Sequence, residues 1–310
     1  MARLFGTDGV RGVVNGDLTP LFAMQLGWAL AMELEQQGRR GPVAIGRDTR
    51  RSGPMLGAAL AAGLCSAGCD VLDLGVLPTP GVAWCTRAAG VAAGVVISAS
   101  HNPPEYNGIK IFAADGYKLP DAAEDALERR LEPSGAALGR RLAPATEVGR
   151  VDPVDLADRY LEFLTGRAAA SAGGLPVVLD CGHGAAFRLA PALFERLGAR
   201  VTVLNDRPDG LNINQGCGST HPTVVAEAVR RRGAAVGFSF DGDADRCIAV
   251  DERGQVVDGD AILAIAALDR QRRGALPGAG VVATIMSNLG LERALRRAGI
   301  TLHRSPVGDR

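Results

Sequence analysis

The sequence predicts an α/β protein made of consecutive, similar α/β domains with mixed sheets, the third of them incomplete. Three observations carry this. One strand–helix–strand pattern occurs three times along the chain, each helix stops at a glycine, and Pro- and Gly-containing breaks separate the units. The first copy has an apolar strand over 43–48, a helix over 54–67 closed by Gly68, and a returning strand over 71–74. The second has a strand and turn over 177–182, a helix over 188–197 closed by Gly198, and a strand over 201–204. Leu189, Leu193, Phe194 and Leu197 give that helix an apolar face at helical spacing. The third has a strand and loop over 281–288, a helix over 291–298 closed by Gly299, and a strand over 300–303. Each is a βαβ unit, which implies a parallel or mixed sheet covered by helices.

Weak periodicity and many small residues over 133–153 place the first boundary, and the domains are expected at 1–150, 151–255 and 256–310. Asp251-Glu-Arg-Gly254 reads as a hairpin, and a helix begins near Asp260. The third unit completes barely one βαβ before Arg310, too few strands to cover a sheet, so the C-terminus reads as cut.

Composition narrows the function classes. Thirty-four acidic and 34 basic side chains give zero formal net charge, against a nucleic-acid binder held by bulk electrostatics. With 47% hydrophobic and 22% charged residues the chain can bury a core. No run reaches the ~18 apolar residues of a membrane helix, and Asp8 and Arg11 interrupt any N-terminal signal core. A cytoplasmic protein with no nucleic-acid or membrane partner is expected. Lys110 and Lys118 are the only lysines among the 34 basic residues, so each merits scrutiny. The six cysteines (65, 69, 85, 181, 217, 247) form no C-x-x-C pair and read as reduced, mostly buried thiols.

Three segments carry chemistry. In Phe240-Asp-Gly-Asp-Ala-Asp-Arg246, Asp241, Asp243 and Asp245 alternate along a loop and offer hard oxygen donors to Mg²⁺ or Ca²⁺. An EF-hand is excluded because Arg246 stands where that loop needs Gly, and residues 247–250 read as a strand. The plain alternative is a solvated acidic turn, although three close like charges repel unless a cation neutralises them. Arg246 beside them suits an anion brought to the metal. In Val95-Val-Ile-Ser-Ala-Ser-His-Asn-Pro-Pro104, a strand ends in a loop dense in hydroxyl and imidazole groups, where α/β sheets bind ligands. An ordinary Asn-Pro turn is its plain alternative. In Phe5-Gly-Thr-Asp-Gly-Val-Arg-Gly12, three glycines could shape a backbone cradle for phosphate, with Arg11 as the charge, or simply a turn. His183 reads as structural, at a strand-to-helix turn.

Together these segments resemble the α-D-phosphohexomutase superfamily over essentially the whole chain. Ser98-Ala-Ser-His-Asn-Pro103 and the Asp241–Arg246 loop carry that resemblance. The 5–12 segment, Cys217-Gly-Ser-Thr220, Met286-Ser-Asn-Leu-Gly-Leu291 and Val307-Gly-Asp-Arg310 are similar to its bacterial phosphoglucosamine mutase branch. The resemblance implies a phosphohexomutase-like fold whose fourth domain is absent here. It implies that Ser100 is the phosphoserine and that Asp241, Asp243 and Asp245 hold Mg²⁺ together with the Ser100 phosphate. It also implies that Arg11, His101, Lys110 and Arg246 line the phosphoryl-transfer site. Ala244 stands where many relatives have Gly, which reads as a mild change. The implied activity is interconversion of glucosamine 6-phosphate and glucosamine 1-phosphate through a glucosamine 1,6-bisphosphate intermediate, for amino-sugar and cell-wall precursor synthesis. The implied partner is a small-molecule sugar phosphate, and a homodimer is the candidate assembly. The family's Gly-Glu-x-Ser-Gly-His sugar loop and Ser/Thr-rich phosphate loop do not occur in the 310 residues. Two alternatives stand beside this reading: a phosphomannomutase or phosphoglucomutase, and a non-catalytic truncated remnant.

Overall fold

The computed structural model describes residues 4–6, 9–131, 142–168 and 171–307. Thr7 and Asp8 of the N-terminal segment, residues 133–141 of the first break and 308–310 of the last motif lie outside them. The first unit contains β1 (Val10–Val13), α1 (Pro20–Gln36), β2 (Val43–Arg47), α2 (Gly53–Ser66), β3 (Val71–Val76), α3 (Thr79–Ala88), β4 (Ala93–Ile97), β5 (Tyr106–Ala113), α4 (Asp121–Leu131) and β6 (Val151–Pro153). Its sheet runs β1-β5-β4-β2-β3-β6, with β4, β2, β3 and β6 parallel and β1 and β5 antiparallel to their neighbours. Continuous apolar runs fit β2 and β4 to the buried centre of this sheet. One face packs under α1, α2 and α4 through residues such as Leu26, Leu60 and Leu127. The other packs through Val82, Cys85 and Tyr160 under α3 and α5 (Ala157–Arg167).

Glycine sets how closely α1 and α2 approach. A Cβ at Gly27 would lie 2.1 Å from the Leu60 carbonyl oxygen, and one at Gly63 would lie 2.0 Å from that of Met24. Each helix thus lays backbone against the other's glycine. Thr19 caps α1 by accepting the Phe22 N–H at 3.1 Å, with Pro20 at the first helical position.

The second unit follows α5 with β7 (Pro176–Asp180), α6 (Leu189–Arg196), β8 (Arg200–Leu204), α7 (Pro222–Arg232), β9 (Val236–Phe240), β10 (Cys247–Asp251) and β11 (Val256–Val257). Its sheet runs β11-β10-β9-β7-β8, again mixed. The third unit has α8 (Gly259–Arg272), β12 (Gly280–Thr284), α9 (Leu289–Arg297) and β13 (Thr301–Ser305), with β12 and β13 parallel over a small core of Ala267, Ala283, Leu291, Leu295 and Ile300. Among the described residues no helix is long and apolar enough to cross a membrane.

Short strands lie at both expected boundaries and pair with the sheet before them. β6 begins at Val151 yet pairs with β3, because the chain returns along the edge of the first sheet before it leaves. β11 lies at 256–257 and pairs with β10, because the Asp251–Gly254 turn folds it back onto the second sheet. The three helix-stopping glycines share one geometry. Gly68, Gly198 and Gly299 have φ of +83°, +84° and +72°. In each case the glycine N–H and the next N–H reach back to two carbonyls of the last turn, as Gly299 does to Arg296 and Ile300 to Leu295.

The close approach and the left-handed turn differ in cost. Gly63→Ala should destabilise the fold by about 1–3 kcal/mol through overpacking. Gly299→Ala, which meets open space and must only hold a positive φ, should cost about 1 kcal/mol. Urea unfolding of the two variants checks the order.

Candidate functional site

The loop after β4 is held from below by a buried ion pair. Arg50 Nε donates to Asp48 Oδ2 at 2.9 Å, and both side chains are fully buried. The remaining guanidinium donors go to carbonyls of the serine loop: Nη2 to Ser100 at 3.1 Å and Asn102 at 2.7 Å, Nη1 to Tyr106 at 3.0 Å and also to Pro103. A planar fork with five N–H groups suits this task, which an ammonium could not fill. Asp48 Oδ2 also accepts from Ser98 Oγ at 2.6 Å, and Ser98 Oγ accepts the Ser100 N–H at 2.9 Å. Asn214, from the second unit, donates to the same Ser100 and Asn102 carbonyls at 2.9 and 3.2 Å. These contacts hold Ser100 at φ +53°, in the left-handed region.

The acidic loop joins β9 to β10 and meets Ser100 across the seam between the two units. Ser100 Oγ donates to Asp241 Oδ2 at 2.5 Å. A Cβ at Gly242 would sit 2.6 Å from the Ser100 carbonyl oxygen, so the Asp-Gly-Asp spacing allows the loops to touch. Asp241, Asp243 and Asp245 each offer a carboxylate oxygen, all within 4.8 Å of one another. Lys110, on β5, donates to Asp243 Oδ2 at 2.9 Å and to Asp245 Oδ2 at 3.1 Å. Thr79 Oγ1 donates to Asp243 Oδ2 at 2.6 Å, and the Thr79 N–H donates to the Asp243 carbonyl at 2.9 Å. Asp243 Oδ1 is buried and has no hydrogen-bond partner.

The charges are graded. Burial, with the negative charges of Asp243 and Asp245 behind it, pushes the Asp241 carboxyl up to about 7. Burial acts on Asp243 too, but the Lys110 ammonium and the Thr79 hydrogen bond outweigh it and hold that carboxyl below its usual range. Like-charge repulsion is therefore relieved without a metal, by Lys110 and by the raised Asp241. The case for a divalent cation rests instead on the donor set and on the orphaned Asp243 Oδ1. Three carboxylates and a serine oxygen are the hard ligands that Mg²⁺ takes, so the residues fit the ion.

His101 Nδ1 lies 3.4 Å from Ser100 Oγ and accepts from Arg246 Nη1 at 3.2 Å. Burial, then the positive charges of Arg246 and Arg11, lower its pKa and favour the neutral ring. Arg11, on β1, sits opposite Gly108 in register. Ser100, His101, Lys110, Arg246 and the three aspartates are thus joined by contacts, with Arg11 close enough to act on His101. Lys110 faces Asp243 and Asp245 and holds the Asp243 carboxyl down. His183 has φ +50°, takes a hydrogen bond from Thr49 Oγ1 at 2.5 Å on its carbonyl and one from the Arg207 N–H at 3.3 Å on Nδ1. Ala244 has φ +53°, which costs an L-residue about 1–2 kcal/mol, so the Ala at this position carries strain beyond a mild change.

Asp48, Arg50, Thr79 and Asn214 were not anticipated. Asp48 and Arg50 had a signal, since Gly-Arg-Asp-Thr-Arg ends a strand as the serine loop does. Thr79 lies in an unremarkable Pro-Thr-Pro, and Asn214 is 114 residues from Ser100 in sequence, so neither had one. Burial pushes the thiols of Cys85, Cys181 and Cys217 up to about 12, and all six cysteines are free.

With this geometry in place, comparison with known proteins is direct. The family models for phosphoglucomutase/phosphomannomutase α/β/α domains I, II and III match residues 2–136, 158–254 and 258–310. The chain belongs to this phosphohexomutase family and, within it, groups with the phosphoglucosamine mutases. It is 56% identical to the phosphoglucosamine mutase of Symbiobacterium thermophilum, with 100% of this chain and 69% of that protein covered. It is 55% identical to that of Moorella thermoacetica, with 100% and 70% covered. Among solved structures, a phosphoglucomutase/phosphomannomutase family protein from Burkholderia thailandensis matches with a TM-score of 0.86 at 31% identity. That match covers 99% of this chain and 66% of the Burkholderia chain.

Removing the guanidinium strands a buried carboxylate, so Arg50→Met should cost about 3–5 kcal/mol in urea unfolding, and Arg50→Lys should recover only part of it. His101 should titrate by NMR with a midpoint below the ordinary 6.5. In Arg246→Ala that midpoint should rise, because one of the charges opposing the imidazolium is gone.

Proposed function

We propose that the chain performs the phosphoserine chemistry of a phosphoglucosamine mutase, with Ser100 as the residue that gives and takes the phosphoryl group. The observation that carries this reading is the 2.5 Å contact between Ser100 Oγ and Asp241 Oδ2, made by loops from two domains. In the proposed cycle, phosphorylated Ser100 gives its phosphoryl group to O1 of glucosamine 6-phosphate. The P–Oγ bond breaks as the P–O1 bond forms, and the proton of the sugar O1 hydroxyl passes to the departing Ser100 Oγ, which is restored as a hydroxyl. The resulting glucosamine 1,6-bisphosphate turns round, the P–O6 bond breaks as a P–Oγ bond to Ser100 forms, the serine proton passes to O6, and glucosamine 1-phosphate is released. Within this cycle Ser100 Oγ is oriented by its strained backbone and by its hydrogen bond to Asp241. His101, Arg246 and Arg11 present donors and positive charge toward the transferring phosphoryl, where preorganised charge lowers the barrier most. Lys110 keeps Asp243 ionised.

Asp241, Asp243 and Asp245, with the Ser100 phosphate, would hold Mg²⁺, which when bound supplies charge neutralisation to the phosphoryl oxygens. Glucosamine, rather than mannose or glucose, is supported by the identity of 56% and 55% to proteins named phosphoglucosamine mutase.

Glucosamine 1,6-bisphosphate with Mg²⁺ should add one phosphoryl group to the protein at Ser100, read by intact-mass and peptide mass spectrometry. Ser100→Ala should take none and should abolish turnover in a coupled mutase assay. Wild-type protein that is not phosphorylated at Ser100 overturns the reading. Asp243→Asn should shift the Mg²⁺ dependence of phosphorylation to higher concentration. Equal rates on glucosamine, mannose and glucose phosphates would remove the sugar assignment alone.

A further inference from the structure

We infer that Thr79 is a positioning residue for the metal, supplied by the first domain to the central carboxylate of the second. The inference rests on the metal reading of the aspartate loop given above and goes beyond it by naming the group that aims the ligand. Asp243 has two oxygens with different fates. Oδ2 is fully engaged by Thr79 Oγ1 at 2.6 Å and Lys110 Nζ at 2.9 Å. Oδ1 is buried and has no hydrogen-bond partner, a costly arrangement unless something else fills it.

A carboxylate held by one contact can swivel about its terminal torsion. Thr79 removes that freedom, because it grips Asp243 twice: the side-chain hydroxyl takes Oδ2, and the Thr79 N–H takes the Asp243 carbonyl at 2.9 Å. The grip is rigid on the threonine side. Thr79 is the first residue of α3, only 8% exposed, and Pro78 and Pro80 bracket it and fix the backbone around the helix start. With Oδ2 taken by Thr79 and Lys110, Oδ1 is the Asp243 oxygen left to serve as a ligand, in a loop whose three carboxylates each offer an oxygen within 4.8 Å of the others. Outer-sphere hydrogen bonds of this kind typically set metal affinity by about 10–100-fold.

Lys110 shares Oδ2 but does not duplicate the function. It also reaches Asp245 at 3.1 Å and sets charge, whereas Thr79 is neutral and touches Asp243 alone among the three carboxylates. Loss of the Thr79 hydroxyl should therefore act on the geometry of one ligand while the Lys110 contacts to Asp243 and Asp245 stay in place.

The test is Mn²⁺ binding to the purified chain, read by electron paramagnetic resonance of the free ion, with folding followed by circular dichroism. Thr79→Val and Thr79→Ala, which lack the hydroxyl, should bind Mn²⁺ about tenfold or more weakly than wild type. Thr79→Ser, which keeps it, should stay close to wild type. Folded Thr79→Val or Thr79→Ala that binds as wild type does overturns the inference, as does a Thr79→Ser variant as weak as Thr79→Val. Wild-type protein that binds no Mn²⁺, or binds it undiminished in Asp243→Asn, overturns the metal reading itself and the inference with it.

Discussion

A single buried guanidinium organises the part of this molecule where chemistry would occur. Arg50 has no contact with solvent, and its charge is met by Asp48, with its other N–H groups spent on carbonyls of one loop. An isolated buried charge is prohibitively expensive, so the loop must present those carbonyls for Arg50 to stay. The constraint also runs the other way: a loop with several inward carbonyls needs a donor array of that shape. Ser98 extends the arrangement from Asp48 to the Ser100 N–H, and Ser100 is held in a backbone conformation that it would not choose alone.

The second domain completes this scaffold rather than merely covering it. Asn214 doubles Arg50's grip on the Ser100 and Asn102 carbonyls, while Thr79 of the first domain grips Asp243 of the second. Each reactive loop is therefore set partly by the other domain. Glycine makes the meeting sterically possible, since a side chain at 242 would collide with the Ser100 backbone. Zero net charge hides a local opposition here: the aspartates face Lys110 and Arg246, and the pKa values of Asp241 and Asp243 are moved apart by burial on one side and ion pairing on the other.

Much of the fold was legible because its signals are local. Apolar strands at 43–48 and 177–182, amphipathic helices and stopping glycines at 68, 198 and 299 are properties of short segments, and the βαβ units follow from them. The edges of the domains were less legible. Val151–Pro153 and Val256–Val257 are short, weakly apolar strands whose membership depends on which neighbour they pair with, and that is a non-local choice. In the site, Ser100 and the three aspartates stood out through unusual local density of functional groups. Thr79, at a helix start, and Asn214, in a turn, are single ordinary residues, and only proximity gives them a role.

The order of elements, the helix stops and the residue types able to carry phosphoryl and metal chemistry were determined by the sequence itself, because each depends on neighbours within a turn or two. Which residues meet was decided only by tertiary structure. Ser100 and Asp241 are 141 positions apart, and Lys110 and Asp243 are 133 apart. Their contacts exist because two sheets dock with their strand-end loops face to face. Docking also decided that Lys110 answers the carboxylates, that one oxygen of Asp243 is occupied, and that the other is buried without a partner.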